Sequence, residues 1–158
     1  MDSRLIAPYI NSTINMLKDM TGIEITSTSE PQNDSGEFVS QGVSSAIAFS
    51  GKIKGKFLID LSPQLAKAVI CQMTGETMED LKDRLFLSGI SELNNTIAGD
   101  ANTFLNNTYA LSLRLAPPIV FSGSGITVSS SNIETVTVLC NTEYGEMKVN
   151  IGFQGGAF

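Results

Sequence analysis

The stretch LFLSGISELNNTIAGDAN, residues 85–102, decides the fold because it predicts a long helix with two unlike faces. On a helix that turns about 100° per residue, the apolar side chains gather on one side, which we expect to face the core. They are Phe86, Ile90, Leu93, Ile97 and, one turn beyond the stretch, Phe104. The opposite side, which we expect to point into solvent, carries Ser88, Glu92, Asn95, Gly99 and Asn102. These five positions fall within roughly 80° of one another by the same geometry.

The composition of this polar face is unusual for a solvated helix. Solvated faces usually carry Lys, Glu, Arg and Gln, which favour both helix formation and solubility. Asn95 and Asn102 each cost several tenths of a kcal/mol relative to alanine, and Gly99 costs about 1 kcal/mol. Gly99 lies on the same face as Glu92 and Asn95, and its lack of a side chain also lets another molecule approach the backbone closely. From composition and spacing alone, a functional face and an idle polar face are about equally supported.

Helices and strands are predicted on both sides of this stretch. Predicted helices cover residues 3–20, closed by Gly22; a segment opened by Ser62-Pro63 and closed by Gly75; and about 79–107, with capping-box spacing over 77–80. Predicted strands cover about 24–29, 38–50, 53–61, 119–122, 126–129, 133–139 and 147–153. Residues 29–36 are rich in helix and strand breakers and are predicted as a loop. Strands 38–50 and 53–61 should form one hairpin, and the last two strands another with its turn at 141–146.

The order of these elements predicts the fold class. A helix, then strands, two helices and more strands within 158 residues indicate a single domain, 1–158, of the α/β (α+β) kind. We expect long helices packed on a mostly antiparallel β-sheet.

Composition excludes several classes of function. A net charge of −6 with ten scattered basic residues argues against nucleic-acid binding. We see no signal peptide and no apolar stretch long enough to span a membrane, and the separated Cys71 and Cys140 look like buried thiols of a reducing compartment, so we expect a cytoplasmic protein. The chain has no histidine, which excludes a Ser-His-Asp relay and any histidine metal site. Carboxylate, amide and hydroxyl groups remain for chemistry.

The run Ser88-x-x-x-Glu92-x-x-Asn95 resembles the signature of the CheC/CheX/FliY family of chemotaxis phosphatases, most nearly that of its CheX branch. The resemblance extends to four further segments and so covers most of the chain. They are MDSRLIAPYINSTINMLKDMTGIE (1–24), FSGKIKGKFLIDLS (49–62), the helix leading to MTGE (73–76) and APPIVFSGSGI (116–126). Asn11 and Asn15 of the first helix have no glutamate at the matching offset, so we predict one site, whereas CheC carries two copies of the signature.

The resemblance implies a protein phosphatase that hydrolyses the aspartyl phosphate of a CheY-like response regulator and so ends a chemotaxis or other two-component signal. Glu92 and Asn95 would be the catalytic residues, Glu92 docking against the regulator's lysine and Asn95 placing the water. Ser88, Gly99 and Asn102 would contact the substrate protein. The family also implies a homodimer and no cofactor of its own, because the regulator supplies the Mg²⁺.

Two alternatives stay open at this point. A domain like CheX could bind or assemble with a regulator without hydrolysing anything, as flagellar switch proteins do. A metal-dependent hydrolase could use Asp80, Asp83, Glu92 and Asp100, but these four positions do not share one helix face.

Overall fold

The computed structural model describes residues 2–34, 36–129 and 133–154. These residues contain three helices and ten strands. The helices are α1 (Ser3–Thr21), α2 (Pro63–Thr74) and α3 (Arg84–Tyr109). The strands are β1 (Ser27–Thr28), β2 (Gln32–Asp34), β3 (Glu37–Val39), β4 (Val43–Ser50), β5 (Lys54–Leu61), β6 (Arg114–Leu115), β7 (Ile119–Ser122), β8 (Thr127–Ser129), β9 (Glu134–Thr142) and β10 (Gly145–Gln154).

Eight of these strands form one sheet in the order β1-β9-β10-β5-β4-β6, with β2 also on β9 and β7 also on β4. Every pairing in it is antiparallel. Strands β3 and β8 pair with each other in a separate two-stranded sheet. The three helices pack on the large sheet, and this confirms the predicted α+β architecture.

The register of β4 on β5 separates the two faces of the large sheet. Ile47 lies opposite Phe57, and both side chains join the helices in one buried core. The alternate positions face the other way. On that side Asp60 of β5 lies opposite Lys148 of β10 in the strand register. The ammonium nitrogen of Lys148 lies 5.7 Å from the centroid of the Phe38 ring. Strand β3 therefore covers the sheet on the face opposite the helices.

Helices α1 and α2 end where the sequence predicts. Gly22 and Gly75 adopt left-handed φ angles of 75° and 76° and donate their backbone N–H groups to carbonyls four residues back. At the start of α2 the Ser62 hydroxyl accepts from the backbone N–H of Leu65 at 3.3 Å. Both helices thus have caps that local sequence specifies.

The prediction of a loop over residues 29–36 is wrong, because this segment contains β2. Asp34 accepts hydrogen bonds from the hydroxyls of Thr135 and Thr137 and, at 3.0 Å, from the amide of Asn150. These partners lie more than a hundred residues away, so the local excess of breakers could not indicate them.

The strand predicted over 38–50 is two strands, because the chain changes sheet at Gly42. A Cβ at Gly42 would lie 2.5 Å from the carbonyl oxygen of Leu61 and 2.8 Å from the ring of Pro63. Just before it, the backbone N–H of Gln41 donates to the buried Asp60 carboxylate at 3.0 Å. Only glycine fits this crossing between β3 and β4.

Helix α3 begins later than predicted. The Asp83 carboxylate accepts from the backbone N–H of Leu85 at 2.8 Å and caps the helix. The predicted capping box over 77–80 does not form, because Asp80 closes a local turn by accepting from the N–H of Lys82 at 3.0 Å. At the other end, α3 runs two residues past the predicted limit to Tyr109, where Ala110 adopts a left-handed φ of 52°.

Smaller differences concern the sheet edges. Strand β1 covers two of the six residues predicted there, and β6 is not predicted at all. The β9–β10 hairpin is confirmed, with a shorter turn in which Thr142 pairs with Gly145. Among the described helices, none combines the length and the apolar character that crossing a bilayer requires.

Candidate functional site

The outward face of α3 presents Ser88, Glu92 and Asn95 to solvent, as the sequence predicts. Glu92 and Asn95 are three residues apart, so they are separated by about 4.5 Å along the axis and about 60° around it. Within the described residues, no hydrogen bond or ion pair engages the side chain of either. A carboxylate and an amide therefore stand side by side, available to another molecule.

The opposite face of α3 fixes the direction in which these groups point. Its buried apolar residues are Phe86, Ile90, Leu93, Ile97, Ala98, Ala101 and Leu105. Near the end of the helix, the Asn106 amide exchanges two hydrogen bonds with the backbone of Leu113, at 2.7 and 3.1 Å. Packing along the length and a clamp at the end leave the helix little freedom to turn about its axis.

Asn94 is the residue that sequence reasoning missed. Its side chain is fully buried and its Nδ2 donates to the backbone oxygen of Ser45 at 2.9 Å and to the Ser45 hydroxyl at 3.1 Å. These bonds tie α3 to β4 at the position directly before Asn95. The available signal was its spacing, because Asn94 follows the core residue Ile90 by one turn.

Asn102 does not lie on the exposed face, and its predicted exposure is wrong. It is 4% exposed and its Oδ1 accepts a hydrogen bond from the buried hydroxyl of Tyr9. The position lies at the border of the polar arc, next to the fully buried Ala98 and Ala101. A buried tyrosine hydroxyl needs an acceptor, and Asn102 provides it from the flank of α3.

Phe104 is predicted to face the core, and this prediction is wrong because its side chain is 52% exposed. It lines a groove of about 530 Å³ between α1 and α3 together with Asn11 and Asn15. One acid lies among the lining residues of this groove, Asp100, whose carboxylate accepts from the hydroxyl of Ser12 at 2.8 Å. A groove lies between the two helices here, so the helical period of α3 alone does not tell which of its positions are covered.

The two glycines of α3 differ in what surrounds them. A Cβ at Gly89 would lie 2.4 Å from the δ-methyl of the fully buried Ile70, so close packing against α2 accounts for glycine there. A Cβ at Gly99 would lie 3.9 Å from the δ-methyl of Leu115, which is an ordinary contact. Packing within this chain therefore gives no reason for Gly99, although glycine costs about 1 kcal/mol inside a helix.

Among the described residues, the groups outside this face offer no metal site, and the more buried of the two thiols is a poor nucleophile. Burial raises the pKa of the Cys140 thiol to about 11, so it stays protonated at neutral pH. Cys71 is half-buried rather than buried. Across residues 2–34, 36–129 and 133–154, no three Asp, Glu, Cys or His residues are grouped so as to hold a metal ion.

Comparison with known proteins places this architecture. A family model described as chemotaxis phosphatase CheX matches residues 43–141, more than half of the chain. A CheY-P phosphatase CheX of Thermotoga maritima is 29% identical over 133 residues, which are 84% of each chain. The crystal structure of a CheC-like superfamily protein from Shewanella sp. PV-4 matches with a TM-score of 0.89 at 27% identity, over 98% of this chain and 100% of the other.

A third match is a crystal structure of a CheX–CheY–BeF3–Mg+2 complex from Borrelia burgdorferi. Its TM-score is 0.81 at 23% identity, over 95% of this chain and 97% of the other, which shows a common fold. The fold, a long helix packed on an antiparallel sheet, places the chain among the CheC-like proteins. Within that class, the chain belongs to the CheX family of chemotaxis phosphatases.

The Tyr9–Asn102 contact yields a stability prediction. Replacing Tyr9 by phenylalanine leaves the buried Oδ1 of Asn102 without a donor, so we expect the free energy of unfolding to fall by about 1–3 kcal/mol. Urea titration followed by circular dichroism measures this change. Tyr144→Phe is the control, because no hydrogen bond to the Tyr144 hydroxyl is present in the described structure. Equal stability of Tyr9→Phe and the control variant would contradict the role assigned to the Tyr9–Asn102 hydrogen bond.

Proposed function

We propose that this chain is a phosphatase that hydrolyses the aspartyl phosphate of a phosphorylated CheY-like response regulator. The observation that carries the proposal is the exposed Glu92–Asn95 pair on a helix face whose direction is fixed by the core behind it. The Thermotoga relative, named a CheY-P phosphatase, supports the reaction. The Borrelia complex with CheY supports the kind of partner.

The reaction needs little from the phosphatase beyond positioning. An acyl phosphate is intrinsically labile: a water oxygen attacks phosphorus, the bond between phosphorus and the aspartyl oxygen breaks, and inorganic phosphate and the free carboxylate result. The regulator holds the Mg²⁺ that neutralises charge on the phosphoryl oxygens. The phosphatase has to place the water in line, and this placement lowers the entropic part of the barrier.

Asn95 is the residue that we assign to the water. An amide oxygen accepts a hydrogen bond from water while the amide N–H₂ donates, so the side chain can hold a water in one orientation without a change of protonation. This chemistry requires no base with a pKa near neutrality, which agrees with a chain that has no histidine. A covalent mechanism would need a nucleophilic side chain, and the neutral amide of Asn95 is not one.

Glu92 is assigned to docking. It lies nearly one turn before Asn95, and its exposed carboxylate can pair with the lysine of the regulator's active site. The Coulomb attraction within such a pair becomes stronger as the two proteins exclude water from the contact. Ser88, one turn earlier, is placed to contact the regulator at the edge of the same surface.

The cellular setting follows from the partner. Response regulators work in the cytoplasm, and we place this chain there, with no metal or cofactor of its own. Its action would shorten the lifetime of the phosphorylated regulator and so terminate a chemotaxis signal or a related two-component signal.

Replacing Asn95 by alanine tests the proposal. We expect the variant to keep its fold and its affinity for the regulator but to lose stimulated dephosphorylation, falling by about a hundredfold or more because water positioning is lost. The measurement is loss of phosphoryl label from receiver domains with and without the protein. Wild-type rates in Asn95→Ala would refute the mechanism, and binding of wild-type protein without any stimulation would identify a non-catalytic binding module.

Gly99 gives a second prediction, in which stability and activity change in opposite directions. Gly99→Ala should raise the free energy of unfolding by up to about 1 kcal/mol, because alanine favours the helix. It should also slow dephosphorylation, because the new methyl group lies on the surface that we assign to the regulator. Asn107→Ala is the control, a substitution at an exposed position of α3 outside this surface that should raise stability without slowing the reaction. An unchanged dephosphorylation rate in Gly99→Ala would remove Gly99 from the docking surface.

We also propose that the chain forms a homodimer. Strand β7 pairs with β4 on one side, and among the described strands none pairs with its other edge. Ile119, at the start of β7, is 68% exposed. Edge strands of this kind favour pairing with a second chain. Light scattering coupled to size exclusion should give a dimer mass for wild type and a monomer mass for Ile119→Lys, and a monomeric wild type would refute the proposal.

A further inference from the structure

Leu85 is the most exposed large apolar side chain in the described part of the protein. It is 73% exposed, in the first turn of α3. Its backbone N–H is held by the Asp83 cap, so the position is fixed while the side chain projects into solvent. At this exposure the Leu85 side chain covers little of the described chain, so packing within the chain does not account for a leucine at this position.

The position of Leu85 on the helix distinguishes it from an isolated surface leucine, which would need no explanation. Leu85 precedes Glu92 by seven residues, which is two turns less about 20°, so the two side chains lie nearly in line. The separation along the axis is about 10 Å. Ser88 lies between them and is also exposed. Leu85 therefore continues the face that carries the Glu92–Asn95 pair.

The charge of this face also favours a partner over water. From Leu85 to Gly99, the outward positions Leu85, Ser88, Glu92, Asn95 and Gly99 carry one charge, that of Glu92, and the exposed Arg84 adds one of opposite sign at the start of the helix. A surface with few charges loses little hydration when another protein covers it, and Glu92 has the regulator's lysine as its partner under the function proposed above. Apolar contact at one end and a charge pair at the centre are typical of a protein interface.

We infer that Leu85 is the apolar anchor of the docking surface and packs against an apolar patch of the phosphorylated receiver domain, about 10 Å from the point where Glu92 pairs. This inference rests on the proposed function and adds a contact outside the catalytic pair. The anchor contributes to binding of the regulator before and during hydrolysis alike. It therefore sets affinity and partner choice and leaves the rate of the bound complex unchanged.

The test compares Leu85→Ser with Leu85→Met. Serine is tolerated in the first turn of a helix, and the Asp83 cap uses the backbone N–H of residue 85, so the fold is retained. For Leu85→Ser we expect KM for the phosphorylated regulator to rise about tenfold or more with kcat unchanged, because buried apolar area is lost equally from the ground and transition states. Leu85→Met keeps the apolar contact and should behave as wild type.

Val39→Ser is the matched control, because Val39 is 52% exposed on β3, which covers the opposite face of the sheet. It should leave both KM and kcat unchanged. Equal KM values for Leu85→Ser and wild type would overturn the inference while the proposed function stands. A fall in kcat without a rise in KM would also overturn the inference, because it would show that Leu85 acts on the chemical step and not on binding. Absence of activity in the wild type refutes the proposed function itself, and binding to regulator loaded with Mg²⁺ and beryllofluoride then still tests the anchor.

Discussion

The contact of α3 with the sheet determines where the candidate site lies. Asn94 donates two hydrogen bonds to Ser45 of β4 from the middle of a mostly apolar face. The buried N–H₂ group of Asn94 has few alternative acceptors, so a rotation or slide of the helix would leave it unsatisfied. Because Asn95 follows directly in the chain, the same constraint sets the direction of the amide that faces solvent.

The sequence predicted the outward face of α3 well because the pattern there is strictly periodic. Ser88, Glu92 and Asn95 are exposed as expected, and their polarity contrasts with the apolar side behind them. Periodicity gives only an angle around one helix. It carries no information about the neighbour on each flank, and for this reason Asn102 and Phe104 were assigned to the wrong environments.

Prediction of the sheet from the sequence has the same limit. The β4–β5 and β9–β10 hairpins follow from nearby residues and were predicted, with a shorter second turn. Strand β2 depends on hydrogen bonds between Asp34 and residues of β9 and β10 that are far away in the chain. The break at Gly42 depends on the carbonyl of Leu61, which approaches only after the hairpin has formed. Local propensity cannot reveal either constraint, because each one arises from tertiary contacts.

The convexity of the site has a consequence for fidelity. Glu92 and Asn95 stand on the outside of a helix, so under the proposed function they would form half of an active site whose other half is on the substrate protein. A free acyl phosphate in solution finds no enclosing wall on this surface to hold it. Selectivity must therefore come from the match between two protein surfaces, and a cell with many similar regulators could direct this phosphatase to one of them by changing a few residues at the rim. The chemistry at the centre, an amide and a carboxylate, would stay the same for each.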